Sequence, residues 1–360
     1  MTHFTFETTS RPTPADQRKI LLEDPKFGRV FTDHMAIIHY SEDKGWHDAK
    51  ITPRQPLPLD PASTVFHYGQ EIFEGMKAYK GRDGKPLLFR PQANAARFAA
   101  SARRLAMAEL PEDLLLDSIR SLLKLDQEWI PTGEGQSLYL RPFMISNEVF
   151  LGVKPSHEYL YVLLASPAGA YFSHGCVSVW VTDRYTRAAP GGTGEAKCGG
   201  NYASSLVAQM EASANGCDQV LFLDAVEKRY VEEMGGMNIM FVRHDGSVVT
   251  PPLNGSILRG VTRDSLLRLG RHMGITMVEE PLVMDEVFAA IEKGDIAEAF
   301  ACGTAAVVSP IGVFKRESGD VKFGDGNTPG ETTMKLRKAL ESIQRDEAED
   351  PFGWRYRVAL

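Results

Sequence analysis

The sequence predicts an α+β protein built from two domains, and three observations lead to this prediction. The chain has 360 residues, which exceeds the usual length of one compact domain. Short candidate strands joined by tight turns are interleaved with candidate helices, whereas a parallel sheet needs strict alternation of strands and helices. Neither G-x-G-x-x-G nor G-x-x-x-x-G-K-[ST] stands at a strand-to-helix turn, so the fingerprint of a nucleotide-binding α/β domain is missing from the sequence.

A change of composition marks the boundary between the domains. Residues 166–176 are rich in Pro, Gly, Ala and Ser and show no periodicity, which is typical of a linker. We therefore predict a small α/β domain over residues 1–165, an interdomain loop over residues 166–176 and a large domain over residues 177–360.

Hydrophobic periodicity and turn residues define the elements of the small domain. One predicted helix places Leu115, Ile119 and Leu122 on one face at helical spacing, and Pro131 follows its end. The predicted elements are a hairpin of strands 76–80 and 86–90, helices 94–108 and 112–129, and strands 138–145 and 159–165.

The pattern of strands and helices begins again in the large domain. Gly216 and Gly274 each follow a periodic run, as glycine does after the last turn of a helix, and Thr262 is a suitable N-terminal cap. The predicted elements are strand 177–182, helix 201–215, strands 220–224 and 231–242, and helix 262–273.

The charge balance and the hydropathy exclude two classes of partner. Lys plus Arg number 40 and Asp plus Glu number 47, a net charge of −7, so the chain lacks the positive field that a nucleic-acid backbone requires. No window of about 18 apolar residues is available for a membrane span, and residues 1–27 carry acidic side chains without an apolar signal core. We expect a soluble cytoplasmic protein that binds neither nucleic acid nor a membrane.

The four cysteines agree with this expectation. Cys176, Cys198, Cys217 and Cys302 form no C-x-x-C pair and have no His partner at metal-ligand spacing. This pattern is typical of a reducing compartment and of a protein without a bound metal. Buried packing is their expected role.

One lysine stands in an unusual environment. Lys197 lies in the glycine-rich segment 187–202, which leads into a predicted helix. Glycine allows unusual backbone dihedral angles and close approach of a bulky ligand, and an ammonium in a partly dry crevice can lose its proton and become a nucleophile. Lys197 is therefore a candidate for Schiff-base chemistry, although a surface lysine in a loop has the same local sequence.

A Schiff base to pyridoxal phosphate also needs an acid for the ring nitrogen and donors for the phosphate. Glu233 is a carboxylate in an apolar strand whose charge a pyridinium nitrogen would compensate, and an edge-strand surface charge fits the same pattern. Gly260 and Thr262 stand at a helix start whose N–H groups favour an anion, as do those of the small-residue turn 301–306. A well-capped helix alone would have the same sequence.

The sequence resembles the branched-chain amino acid aminotransferases, which belong to aminotransferase class IV and to fold type IV of the pyridoxal phosphate enzymes, a two-domain α+β architecture. The resemblance runs across nearly the whole chain and rests on eight segments in the same order. These segments are 27–35, 67–79, 90–97, 138–142, 197–202, 233–238, 260–263 and 303–305.

The resemblance implies the cofactor pyridoxal 5'-phosphate and a role for each matching residue. Lys197 is the implied catalytic residue, which holds the cofactor covalently, while Glu233 pairs with the pyridine nitrogen and Tyr202 donates to the ring oxygen. Arginine suits the phosphate because its donors match the anion in pairs. The implied phosphate contacts are Arg97, Arg187, Val261, Thr262 and Thr304.

Two residues of the small domain predict a substrate pocket. Tyr139 and Arg141 are two apart on a strand and share one face, where a ring can flank an apolar side chain and a guanidinium can meet a carboxylate. The resemblance implies further pocket residues and a homodimer, in which Val153 reaches the pocket of the partner subunit. The other implied substrate contacts are Phe27, Tyr68, Phe73, and the amides near Thr304 and Ala305.

The implied reaction is a ping-pong transamination with amino acids and 2-oxo acids as partners. The amino group of L-leucine, L-isoleucine or L-valine passes to 2-oxoglutarate, which gives the branched 2-oxo acid and L-glutamate. Lys197 moves a proton from Cα to the cofactor. A pocket that also accepts aromatic side chains or methionine stays open, because one methylene contact changes the free energy of binding by only about 1–3 kcal/mol.

The sequence departs from its relatives at a few positions. Ala306 and Ser309 stand where animal relatives carry a C-x-x-C pair, so we expect no redox switch of that type. Gly236 replaces a threonine of some relatives, and a side-chain hydroxyl is absent there.

Two alternatives are weighed against this interpretation. D-amino-acid aminotransferases and aminodeoxychorismate lyases share the lysine and the glutamate, but the motifs of the small domain and the length favour the branched-chain enzyme. A non-enzymatic protein that binds an acidic partner through Arg97, Arg103 and Arg104 would have no use for Lys197 and Glu233 together.

Overall fold

The computed structural model describes residues 3–169 and 175–360. These residues group into two compact units. The first unit comprises the residues before the gap at 170–174, together with Ala196–Gly199 and Ile343–Leu360. The second unit comprises the residues from the gap to Glu195, together with Gly200–Ser342.

The helices and strands are numbered along the chain. Before the gap they are β1 Thr5–Phe6, α1 Ala15–Glu23, β2 His34–Ser41, β3 Gly45–Pro53, α2 Thr64–Tyr68, β4 Glu71–Phe73, β5 Met76–Lys80, β6 Pro86–Phe89, α3 Pro91–Arg104, α4 Glu112–Asp126 with the 3-10 turn Gln127–Trp129, β7 Ser137–Ser146 and β8 Glu158–Ala168. After the gap they are β9 Val177–Thr182, α5 Gly199–Ala203, α6 Leu206–Ala214, β10 Gln219–Leu223, β11 Val231–Met234, β12 Asn238–Arg243, β13 Val248–Thr250, α7 Val261–His272, β14 Met277–Glu279, α8 Met284–Lys293, β15 Ile296–Gly303, β16 Val307–Arg316, β17 Gly319–Lys322, α9 Glu331–Gln344 and β18 Arg355–Arg357.

The first unit is built on a mainly antiparallel sheet in the order β1-β3-β2-β8-β7-β5-β6-β18, with β4 beside β7. The amphipathic helix α4 buries Leu115, Ile119 and Leu122 in the core of this unit, as their spacing predicts. Phe98 of α3 packs edge-to-face on Tyr161 of β8, with ring centroids 5.9 Å apart. The sheet and its packed helices fix α3, which carries Arg97.

The second unit has its own mixed sheet in the order β11-β10-β9-β16-β15-β12-β13-β14, with β17 beside β16. Strands β10, β9 and β16 are parallel neighbours, whereas β10–β11, β12–β15 and β15–β16 pair antiparallel. Phe241 and Phe314 are buried in the core of this unit, together with Val287, Phe288 and Ile291 of helix α8. The antiparallel pairs confirm an α+β sheet rather than a Rossmann sheet.

Several predicted elements are confirmed. The hairpin of β5 and β6 pairs Ala78 with Leu88, and helix α4 with its 3-10 turn covers the predicted range 112–129. Strand β9 has the predicted bounds. The sequence reasoning missed the antiparallel pair β2–β3 and placed no strand at β15 or β16.

Several predicted boundaries were wrong, such as that of helix 94–108, which is Pro91–Arg104 in the structure; three further ones have a clear physical reason. The predicted strand 231–242 is interrupted at Gly235 and Gly236, where glycine weakens a strand. The predicted helix 201–215 is two helices, because the Ser204 and Ser205 hydroxyls donate to the carbonyls of Asn201 and Tyr202 and compete with the helix.

The third boundary concerns the predicted interdomain loop 166–176. Strand β8 continues to Ala168, since Ser166 and Pro167 pair with Tyr139 and Leu138 of β7. Residues 170–174 of the predicted loop lie outside the described residues.

Neither a membrane span nor a metal centre is found in the part of the chain that the structure describes. No helix there is long and apolar enough to cross a membrane. No group of three or more His, Cys, Asp or Glu side chains in these ranges is placed to hold a metal ion.

Candidate active site

The backbone of Lys197 is held firmly within the first unit. Its neighbours Ala196 and Cys198 are buried in the core of that unit. The Lys197 amide donates to Ser101 Oγ at 2.9 Å, and the Lys197 carbonyl accepts from the Phe73 amide at 2.9 Å. The side chain is half-buried, and Nζ lies 4.8 Å from the centroid of the Phe73 ring. The amine therefore occupies a defined place beside an aromatic face.

Glu74 is a buried carboxylate next to this lysine. It is inaccessible to solvent and accepts two hydrogen bonds from Arg97, at 2.6 Å from Nε and 2.9 Å from Nη2. Asn94 Nδ2 and the Gly75 amide donate to its second oxygen at 2.8 and 3.0 Å. Burial raises the pKa of Glu74, but the Arg97 and Lys197 charges and these hydrogen bonds outweigh it and lower the pKa below its usual value. Glu74 therefore stays ionised and fixes the Arg97 guanidinium.

Four of the predicted substrate-pocket residues come together on the first unit. Phe27 and Tyr139 pack edge-to-face with ring centroids 4.9 Å apart. Arg141 donates from Nη2 to Tyr139 Oη at 3.1 Å, and its guanidinium lies 4.8 Å from the Phe73 ring and 5.3 Å from the Tyr139 ring. Arg141 Nε is buried and makes no hydrogen bond with a described residue. Apolar rings and the Arg141 guanidinium thus come together, and the Phe73 ring also lies next to Lys197.

Tyr68 and Val153 have different surroundings. Tyr68 Oη donates to the carbonyl of Leu151, and the tyrosine side chain is exposed. Val153 is 84% exposed and follows the exposed residues Val149 and Phe150. Val153 thus belongs to an exposed apolar segment, which Tyr68 of α2 contacts at Leu151.

In the second unit, Glu233 and Arg187 form a buried ion pair. Glu233 lies on β11, is 2% exposed, and its Oε2 is 2.9 Å from Arg187 Nη2. The Leu258 amide donates to the same oxygen at 2.8 Å. Arg187 also donates to the carbonyls of Ser256 and Gly194, while its Nε is buried without a hydrogen bond to any described residue. The pairing of Arg187 with Glu233 was not predicted from the sequence.

Strand β11 carries a second buried carboxylate, Glu232, on its other face. It is 4% exposed and accepts a hydrogen bond from Asn254 Nδ2 at 3.0 Å. Burial raises its pKa, the Asn254 hydrogen bond and the Arg187 charge oppose this rise, and the Glu233 charge adds to it. The pKa of Glu232 is therefore higher than usual.

The start of helix α7 in the second unit is shaped by close packing around Gly260. Gly260 is the N-cap residue, and Val261 and Thr262 are the first two helical residues, so the helix starts one residue earlier than predicted. The side chain of Asn238 fills the place that a Cβ at position 260 would need, and its Nδ2 donates to the Leu258 carbonyl at 3.1 Å. Glycine is therefore required at position 260. The first N–H groups of a helix have no hydrogen-bond partner within the helix.

The remaining predicted residues lie on turns of the second unit. Thr304 and Ala305 form the turn between β15 and β16, and Val307 after the turn has a φ of 59°. A β-branched residue rarely adopts this left-handed conformation, which stores strain. A Cβ at Gly236 would lie 3.4 Å from the Tyr202 ring, so the missing side chain at position 236 leaves room beside Tyr202.

The fold and these residues agree with one family of enzymes. Residues 71–313 match the family model described as "Amino-transferase class IV". The chain belongs to this family.

Particular relatives are similar over nearly their full length. The chain is 52% identical to the branched-chain-amino-acid aminotransferase of Mycolicibacterium smegmatis over 99% of this chain and 98% of that one. It is 46% identical to the branched-chain-amino-acid aminotransferase 2 of Bacillus subtilis, over 98% of this chain and 95% of that one. The solved branched-chain amino acid aminotransferase of Escherichia coli superposes with a TM-score of 0.76 at 27% identity, over 91% of this chain and 99% of that one.

Sequence reasoning overlooked Glu74 and Glu232. Glu74 stands in the otherwise apolar run 72–76, and Glu232 is the chain neighbour of Glu233 in an apolar strand, which is the signal that identified Glu233. The same criterion applied to every carboxylate in such a run would have found them. Their partners Arg97 and Asn254 are 23 and 22 residues away in the chain, so the pairings themselves need the fold.

We expect Glu74→Gln to destabilise the first unit strongly. The change keeps the shape of the side chain but leaves the buried Arg97 without its counter-charge, and breaking one partner of a buried pair costs about 3–5 kcal/mol of the free energy of unfolding. Urea unfolding followed by circular dichroism measures this loss. Glu128→Gln makes the same chemical change at an exposed carboxylate and serves as control; equal stability of the two variants would contradict the role given to Glu74.

Proposed function

We propose that the protein is a pyridoxal 5'-phosphate-dependent branched-chain-amino-acid transaminase. It transfers the amino group of L-leucine, L-isoleucine or L-valine reversibly to 2-oxoglutarate, giving the branched 2-oxo acid and L-glutamate. The observation that carries the proposal is the 52% identity over 99% of the chain to a branched-chain-amino-acid aminotransferase. Membership in the class IV family supports the same chemistry.

The donor and acceptor groups of the described residues fit pyridoxal phosphate. Arg187 Nε is a buried donor that bonds to no described residue, and the start of α7 supplies N–H groups, as a phosphate requires. Glu233 is a buried carboxylate, as an acid for a pyridinium nitrogen must be. We assign the phosphate to the residues that the resemblance implies, namely Arg97, Arg187, Val261, Thr262 and Thr304.

When bound, the cofactor supplies a ring that takes up the electron pair left at Cα after proton removal. The protein residues bind the cofactor and move the proton. Lys197 would hold the cofactor through its amine and, once the substrate amine has displaced it, would move the proton from Cα to the cofactor. Glu233 would keep the ring nitrogen protonated, and Tyr202 would donate a hydrogen bond to the ring oxygen.

The shared surface of Phe27, Phe73, Tyr139 and Arg141 supports dual substrate recognition. The rings offer apolar contact to a branched side chain, and the guanidinium offers a charged partner to the second carboxylate of glutamate or 2-oxoglutarate. Arg141 Nε, which bonds to no described residue, is available as a further donor. We assign Tyr68 to the same pocket and the amide of Ala305 to the α-carboxylate.

We further propose that two copies of the chain form a homodimer through the apolar segment 149–153. Val149, Phe150, Leu151 and Val153 are each between 42% and 84% exposed, and contiguous exposed apolar side chains mark an interaction surface. In this dimer Val153 reaches the pocket of the partner subunit. The cytoplasm is the proposed location, and four free cysteines agree with a reducing compartment.

The absorbance of the purified protein with pyridoxal phosphate tests the function directly. L-Leucine should remove the long-wavelength band of the bound cofactor, and 2-oxoglutarate should restore it. Lys197→Ala should lack this response and lose activity by about 10²–10⁴-fold or more, whereas the surface change Lys80→Ala should keep both. A band that responds to D-amino acids but not to L-leucine would move the function to a sister family, and full activity of Lys197→Ala would refute the assignment.

Glu233→Gln tests the acid at the ring nitrogen. The amide keeps the size of the side chain but carries no charge, so we expect kcat to fall by about 10²–10³-fold while the cofactor stays attached to Lys197. Stopped-flow absorbance of the half-reaction with L-leucine gives the rate. Glu292→Gln on the surface of α8 is the control, and a near-normal rate in Glu233→Gln would mean that another acid protonates the ring.

Val153→Asp tests the dimer. A charge on the apolar segment has to be desolvated when the two copies meet. We therefore expect the dissociation constant of the dimer to rise at least about tenfold. Sedimentation equilibrium measures the change, with Val226→Asp, at a residue 74% exposed in the second unit, as control. A monomeric wild-type protein, or a dimer indifferent to the charge at position 153, would reject the proposed interface.

A further inference from the structure

Strand β4 places Glu71 on the same face of its sheet as Arg141. Glu71 and Phe73 of β4 lie opposite Ile145 and Phe143 of the antiparallel neighbour β7. Residues opposite one another in an antiparallel pair share a face, as do residues two apart on one strand. Arg141 is two residues before Phe143, and its guanidinium lies 4.8 Å from the Phe73 ring. Glu71, Phe73 and Arg141 therefore point to one side of the sheet.

The Glu71 carboxylate also holds the segment that carries Lys197. It accepts a hydrogen bond from the amide of Gly199, two residues after the lysine, and the Phe73 amide donates to the Lys197 carbonyl at 2.9 Å. All of these residues belong to the first unit. Strand β4 thus binds the lysine segment at two points, and a test of the Glu71 charge must keep the hydrogen bond to Gly199.

The charges of Glu71 and Arg141 act on each other. Burial raises the pKa of Glu71, and the Gly199 hydrogen bond and the Arg141 charge reduce this rise. Arg141 donates from Nη2 to the Tyr139 hydroxyl at 3.1 Å, but a hydroxyl carries no charge to balance the guanidinium. Both Glu71 and Arg141 are half-buried, where charges are screened less than at the surface. Glu71 therefore supplies a counter-charge for Arg141 from within the protein.

The two kinds of substrate place different groups beside Arg141. A branched side chain is apolar and cannot compensate a guanidinium, so the Glu71 carboxylate has to balance the Arg141 charge when such a substrate fills the pocket. The second carboxylate of glutamate or 2-oxoglutarate competes with Glu71 for the same cation, and the two carboxylates repel each other. The Glu71 charge therefore favours the apolar side chain and opposes the dicarboxylate.

We propose that Glu71 is a specificity-determining residue, which acts through the charge of Arg141 to favour substrates with an apolar side chain over substrates with a second carboxylate. Glu71 has this role only where Arg141 faces the substrate, so the inference rests on the proposed function. The role is that of a positioning residue, because it requires no contact between Glu71 and the substrate.

Two unreactive acids measure this preference in the full-length protein loaded with pyridoxal phosphate. Glutarate has the carbon skeleton of 2-oxoglutarate without the oxo group, and 4-methylpentanoate has that of leucine without the amine. Isothermal titration at about pH 8, far above the ordinary pKa of a carboxyl group, gives both dissociation constants for each variant.

In Glu71→Gln the amide oxygen can still accept the Gly199 hydrogen bond, but the charge is gone. We expect glutarate to bind at least about fivefold more tightly relative to 4-methylpentanoate than it does in the wild type. Glu128→Gln makes the same chemical change at an exposed carboxylate of the first unit and should leave the ratio of the two dissociation constants unchanged.

A double variant separates an effect through Arg141 from a general disturbance of the pocket. In Arg141→Gln no guanidinium is left for Glu71 to compensate, so adding Glu71→Gln should shift the ratio less than Glu71→Gln alone does. A purely structural role would instead weaken the binding of both acids together. Circular dichroism shows whether each variant is folded, and Glu71→Ser, which also removes the charge, should shift the ratio in the same direction if Glu71→Gln unfolds.

The outcomes distinguish the role of Glu71 from the proposed function. If the wild-type protein binds both acids, and the folded Glu71 variants keep the ratio or weaken both acids alike, the role of Glu71 is overturned while the proposed function stands. If the wild-type protein binds neither acid and its cofactor band ignores L-leucine, the proposed function fails and the role of Glu71 fails with it.

Discussion

The compensation of buried charge is the constraint on which both groups of site residues depend. Glu74 and Glu233 are each almost completely removed from water, and each is paired with one guanidinium, Arg97 and Arg187 respectively. A buried carboxylate without such a partner would cost several kcal/mol, of the order of the whole stability of a domain. The carboxylates therefore determine where the two arginines stand.

In the second unit the same side chains also fix a segment of backbone. Glu233 binds the Leu258 amide, Arg187 binds the Ser256 carbonyl and Glu232 binds Asn254. All three contacts fall on the segment 251–259, which leads into the N-terminus of α7. Because β11 is held in a sheet, the hydrogen bonds of its two carboxylates restrain the segment that precedes the helix. The position of the first N–H groups of α7 thus follows from polar contacts more than from the propensity of the helix itself.

The sequence was sufficient to predict features that neighbouring residues determine, and insufficient to predict contacts between residues far apart in the chain. Helix α4 and the β5–β6 hairpin follow from periodicity and turn residues, and Lys197 and Glu233 were recognised from their unusual neighbours. Strand β2, which pairs with β3, has buried residues on both faces, so its sequence shows no clear alternation of apolar and polar residues. The ion pair of Arg187 with Glu233 joins residues 46 positions apart, and no spacing rule predicts such a contact. The sequence could supply the candidates, but their partners depend on the packing of the sheets.

Around the Lys197 amine, the cationic side chains of the first unit that contact Phe73 or Glu74 outnumber the nearby carboxyl groups. Lys197 and Arg141 approach the Phe73 ring to 4.8 Å each, and Arg97 is close to Lys197 through their common neighbour Glu74. Glu74 and the half-buried Glu71, whose pKa burial raises, oppose these three cations with two carboxyl groups. An aromatic face stabilises a cation without neutralising it. The remaining positive charge favours anions, and each proposed substrate carries at least one carboxylate.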